Sequence, residues 1–149
     1  MAETTAPAAQ AGQVVAVKDL AAQAMQAFQQ RDFQRGLELS LHLQTHAVFG
    51  AEMAHLAAAC LHELGRTDEA IAYVRRAVAA DSANASYLNT YGVLLRKLKR
   101  TDEAVRSYER VMALQPDFPD VYYNCGNALH ELKRTEEAVA RFERCLQLK

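Results

Sequence analysis

A period of 34 residues governs this chain. Gly65-Arg-Thr-Asp-Glu-Ala70, Lys99-Arg-Thr-Asp-Glu-Ala104 and Lys133-Arg-Thr-Glu-Glu-Ala138 stand 34 residues apart. Leu61, Leu95 and Leu129 recur in the same register, as do Leu64, Leu98 and Leu132. Residues 85–115 and 119–149, compared at this offset, share 12 identities in 31 positions. A fixed period of this length marks a stacked repeat, in which one unit cannot bury its apolar face alone and neighbours complete a common core. Steps of 34 divide the chain into copies at 17–50, 51–84, 85–118 and 119–149, the first of them degenerate.

Within each copy the apolar spacing is helical. Ala54, Ala57, Ala58 and Leu61 form one stripe at intervals of three and four, and Leu88, Tyr91, Gly92 and Leu95 form another. Thr67, Thr101 and Thr135 each precede two acidic residues, which suits the opening of a helix against its dipole. The Gly-Arg or Lys-Arg pair before each threonine suits the end of the helix before it. Gly92 and Gly126, with Ala104 and Ala138, are small where two helices must approach closely. The pattern predicts helices over 16–30, 33–46, 51–64, 67–80, 85–98, 101–114, 119–132 and 135–148. The expected fold is all-α, an α-solenoid of about four helix–turn–helix repeats over residues 14–149, with 1–13 as a disordered tail.

Composition narrows the function. Half of the 149 residues are apolar and 23% are charged, with a formal net charge of −1. That balance carries no electrostatic footprint for nucleic acid or an anionic membrane surface. No apolar run approaches the length of a membrane span, and the first residues lack the basic and apolar regions of a secretory leader, so a cytoplasmic location is expected. Cys60, Cys125 and Cys145 are odd in number and lack metal-ligand spacing, so they read as small core residues. His42 and His46 are four apart but fall on an outer face without a companion ligand. No nucleophile elbow, phosphate loop, dinucleotide fingerprint or zinc-protease motif occurs. The expectation is no enzyme, no catalytic residue, no metal and no cofactor.

The period and residues resemble the tetratricopeptide repeat family, whose signature places W, L, G, Y, A, F and P at fixed slots over 34 residues. Leu88, Tyr91, Gly92, Leu95, Ala104, Tyr108 and Pro116 fill those slots in the third copy. Tyr122, Cys125, Gly126, Leu129, Ala138 and Phe142 fill the first six in the fourth, and the second copy is alanine-substituted. The resemblance implies a right-handed superhelix whose inner helices line a concave groove for a protein or peptide partner. Carried over position by position, the groove residues are Glu52, His55, His62 and Glu63 in the second copy. The third offers Ser86, Asn89, Thr90, Arg96 and Lys97, and the fourth Asp120, Tyr123, Asn124, Asn127, His130 and Glu131. They are rich in amide and imidazole groups, which both donate and accept and so suit an extended peptide backbone. Neighbouring inner helices should set Asn89 beside Tyr123, and the histidines should make the groove sensitive to pH.

The expected role is a protein–protein interaction module, forming the N-terminal part of a larger protein. One alternative follows from Tyr123–Leu129 with Arg134–Ala138, which is similar to the repeats in front of O-linked N-acetylglucosamine transferases and their bacterial relatives. On that reading the chain recruits substrate for a glycosyltransferase. The lysine and arginine clamp of chaperone-binding members is absent. Another alternative is a self-associating scaffold, or a chaperone of the type III secretion kind, pairing through an uncapped C-terminal end where Val139, Phe142, Leu146 and Leu148 cannot all face their own repeat.

Overall fold

The structure is a computed structural model and describes residues 7–149, with side chains from Gly12. Eight helices follow one another: α1 (Pro7–Gln29), α2 (Phe33–Leu43), α3 (Gly50–Glu63), α4 (Thr67–Ala80), α5 (Ala85–Lys97), α6 (Thr101–Leu114), α7 (Pro119–Glu131) and α8 (Thr135–Gln147). The fold is an all-α solenoid of helix pairs. The last six helices match their expected spans to within one residue at either end. α1 starts at Pro7, well before residue 16, because proline is pre-shaped for the first helical turn and the Ala- and Gln-rich run behind it propagates helix readily. The remainder of the expected tail, 1–6, lies outside the described residues.

Helices of one repeat pack as a pair, and each even helix also packs on the odd helix that follows it. Odd helices additionally touch each other in sequence, α1 with α3, α3 with α5 and α5 with α7. Among the described residues no even helix touches the next even one. The array is therefore tighter on its odd side and curves toward it, which makes the odd helices the inner wall of a groove.

The turns inside the repeats explain the recurring hexapeptide. Gly65, Lys99 and Lys133 take φ of 76°, 62° and 63°, the left-handed conformation that closes a helix. Arg66 N donates to Leu61 O, Arg100 N to Leu95 O and Arg134 N to Leu129 O, which satisfies the carbonyls left open at the helix end. The threonines do not cap their helices. Each is the first helical residue, and the N-cap is the arginine before it, with no side-chain cap bond. The arginines instead hold the following helix with a fork. Nε and Nη2 of Arg66, Arg100 and Arg134 grip both oxygens of Glu69, Glu103 and Glu137 at 2.6–2.7 Å. The basic residue expected to finish one helix thus works forward onto the next, because guanidinium and carboxylate match in a planar, bidentate geometry. The first repeat uses a different device, with Asp32 capping α2 by accepting from Arg35 N.

Inside each pair, bulk on one helix is matched by space on the other. A Cβ on Gly92 would sit 2.5 Å from the Tyr108 ring, and one on Gly126 would sit 2.6 Å from the Phe142 ring. The glycines therefore admit an aromatic ring from the outer helix, rather than facing Ala104 and Ala138. In the second copy the same two slots hold Ala58 and Val74, both fully buried. The core runs as two clusters, one built mainly on α1–α4 and one on α5–α8, and Ile71 and Tyr91 pack against both. Cys60, Cys125 and Cys145 are free and buried in it.

Candidate partner-binding groove

The inner wall carries a row of polar contacts that link successive repeats. Asn124 Nδ2 donates to Asn89 Oδ1 at 3.1 Å, and His55 Nε2 lies 2.8 Å from Thr90 Oγ1. Arg96 Nη1 donates to Glu131 Oε1 at 3.0 Å. Every one of these pairs is 35 residues apart. Neighbouring inner helices therefore meet one residue out of the 34-residue register. Asn89 faces Asn124 and not Tyr123, which is half exposed and leans on Phe142 with ring centroids 6.0 Å apart.

The contacts divide the expected groove residues into groups. Asn89, Thr90, Asn124 and Asn127 are half-buried along the middle of the wall, while Tyr123 and Asp120 stand out from it. Arg96 is committed to Glu131, and its aliphatic stem runs beside the buried Tyr108 phenol. Lys97 acts electrostatically on His62, and burial together with that cation lowers the His62 pKa while Glu63 opposes the change. His130 and Glu131 border a separate hollow at the turn edge with Lys99, Thr101 and Lys133. The set is therefore not one surface but a central amide row with a charged edge.

Glu52, His55, Ser86 and Thr90 belong to a deeper feature. They line a hollow of about 700 Å3 between α1, α3 and α5, whose other walls are Met25, Phe28, Val48, Ala51, Leu56, Ala59, Asn84 and Tyr87. His55 stacks on Tyr87 with centroids 4.8 Å apart. Burial lowers its pKa from 6.5 to about 4, so the ring is neutral at physiological pH. The sequence pattern does not mark Met25, Phe28 or Val48, since the first copy keeps too little of the repeat signature to place its inner helix. The spacing of Met25 and Phe28, three apart on one helix face, is the signal that was available.

Nothing in this geometry favours covalent chemistry. Burial pushes the Cys60 and Cys125 thiols up to about 11, away from thiolate. Among the described residues no group of three or more His, Cys, Asp or Glu side chains could hold a metal ion, and no helix is long and apolar enough to cross a membrane.

Helix pairs, turn chemistry and period together define a tetratricopeptide solenoid, and the comparisons agree. A family profile described as TPR repeat matches residues 92–133, and one described as tetratricopeptide repeat matches 51–84 and 119–149. The chain belongs to the tetratricopeptide repeat family. No curated protein matches it. Among solved structures it is similar to a crystal structure of MamA, at 20% identity and a TM-score of 0.79, covering 89% of this chain and 77% of that one. The 41-end form of MamA from Desulfovibrio magneticus RS-1 gives 14% identity and a TM-score of 0.79, covering 89% and 75%. YrrB, titled a TPR protein with an unusual peptide-binding site, gives 16% identity and a TM-score of 0.76, covering 85% and 65%.

Proposed function

We propose that this chain is a protein–protein interaction module that holds an extended segment of its partner along the inner wall. The observation that carries the reading is the Asn89–Asn124 pair, half-buried between adjacent inner helices. Their mutual bond uses one donor and one acceptor, so the Asn89 amide hydrogens and the Asn124 carbonyl still have capacity for a peptide backbone. Asn127, one turn further along α7, extends the row. The peptide-binding site named for YrrB, a protein of the same fold, is consistent with such a use. The double change Asn124→Ala and Asn127→Ala tests it against a peptide selected from a random library on the purified chain. Affinity should fall roughly five- to a hundred-fold with little change in thermal melting. Unchanged affinity with an intact melt would remove the groove from the account.

A second reading, self-association, is favoured by one comparison within the chain. Val105 is 3% exposed under α7, whereas Val139, its equivalent on α8, is 49% exposed and Leu146 on the same helix is 73% exposed. A face of this kind suits a protein contact. Sedimentation at rising concentration tests it, with Val139→Glu and Leu146→Glu expected to abolish any association.

A further inference from the structure

We propose that the hollow between α1, α3 and α5 is the anchor pocket of the groove and takes a long basic side chain, arginine or lysine, from the bound segment. The inference rests on the groove reading above and adds the chemistry of the residue that fills this part of it.

The hollow falls within the size range of ligand pockets, about 300–1,000 Å3. Its floor is apolar, made by Phe28, Leu56 and Ala59. Charge then selects the occupant. Among the described residues lining it, Glu52 is the one formally charged group, and neither lysine nor arginine is present. Glu52 is exposed at the rim and makes no ion pair, unlike Glu131 at the far end of the groove, which is held by Arg96 at 3.0 Å. The field at the mouth is negative enough that Glu52 and Asp81 both help burial to hold the Tyr87 phenol up. His55 does not offset it, being neutral.

An apolar floor with a carboxylate at its rim matches a side chain with an aliphatic stem and a cationic tip. A norleucine or leucine would fill the floor but leave Glu52 desolvated without a partner, and an acidic side chain would be repelled. The stacked rings of His55 and Tyr87 add an aromatic wall beside the carboxylate, a favourable neighbour for a guanidinium or ammonium group. Shape, charge and aromatic lining therefore point to the same residue class.

The experiment selects peptides from a random phage-displayed library on the purified chain, then measures synthetic copies by fluorescence anisotropy. The proteins compared are the unmodified chain, Glu52→Gln, and the double variant Asn124→Ala with Asn127→Ala. The selected peptides should share a lysine or arginine. Its replacement by norleucine should weaken binding about tenfold on the unmodified chain and have no further effect on Glu52→Gln, the loss of one charge-assisted bond. The asparagine double variant should weaken both peptide forms alike. Peptides that need the asparagines but lack a shared basic residue, or that ignore Glu52→Gln, would overturn the anchor pocket and leave the groove. Peptides indifferent to both variants, or no selectable peptide at all, would overturn both. Glu52 is exposed, so an unchanged melt for Glu52→Gln is the folding control.

Discussion

Asn124 gives its side-chain amide to Asn89 across two inner helices, and the residues are 35 apart in a chain whose sequence repeats every 34. The extra residue arises because adjacent helices pack with an axial offset, so equal repeat positions are not opposite each other. The same step relates His55 to Thr90 and Arg96 to Glu131. A double-mutant cycle on Asn89 and Asn124 should show a coupling of about 0.5–1 kcal/mol in chemical denaturation. The pair Asn89 and Tyr123, both at the same repeat position, should show none. Coupling in the second cycle and not the first would place the wall in the 34-residue register.

Gly92 and Tyr108 form one packing unit, and the chain carries its own control. A methyl at Gly92 would meet a fully buried ring at 2.5 Å. Gly92→Ala should cost about 1–3 kcal/mol by overpacking, measured by denaturant melts. Tyr108→Val alone should also destabilise, by leaving a cavity. The double variant recreates the Ala58–Val74 combination of the second copy and should lose less than the sum of the two. Strict additivity would show that the two side chains do not share the space.

Lys99 and Lys133 sit where a side chain is strained and Gly65 is not, since all three hold φ above 60°. Lys99→Gly and Lys133→Gly should each raise stability by about 0.5–1 kcal/mol. Gly65→Ala should lower it by a similar amount. Equilibrium unfolding of the three variants checks the signs. A loss with either lysine replacement would mean that the lysine side chain contributes more than its backbone strain costs.

The solenoid was legible because its determinants are local and repeated. The Leu61, Leu95 and Leu129 series, the paired small residues and the conserved spacing of the Arg–Glu forks all fall at one period, so each copy reinforces the others. The wall contacts were not legible in detail, because the 35-residue offset is a property of packing between copies and leaves no mark in any one of them. The hollow was half legible. Glu52, His55, Ser86 and Thr90 come from copies that keep the repeat pattern, whereas Met25 and Phe28 come from α1, where substitutions have erased it. The capping assignment to Thr67, Thr101 and Thr135 failed for a further reason. Arginine forks to Glu69, Glu103 and Glu137 do the work that a threonine hydroxyl usually does, and residue preference at a cap does not foresee a side-chain fork.

His55 ties the stability of the N-terminal repeats to pH. Its folded pKa is about 4 against an ordinary 6.5, so the unfolded chain takes up a proton first as pH falls. Its contribution is fully present above pH 6.5, is lost progressively as pH falls toward 4, and changes no further below that. His62 is shifted in the same direction and adds to the loss. The groups facing His55 do not mask this. Thr90 and Tyr87 on α5 and Met25 and Phe28 on α1 stay neutral through the range, and Glu52 on its own helix is exposed. The carboxylates of Glu69, Glu103 and Glu137 are held below their usual range by their arginines, so their protonation falls at lower pH. Between pH 7 and pH 5 the unmodified chain should therefore lose about 1–2 kcal/mol through His55 alone. His55→Gln, which keeps a partner for Thr90, should lose correspondingly less over the same interval. Equal losses in the two proteins, measured by denaturant melts at each pH, would mean that His55 is protonated as readily in the fold as outside it.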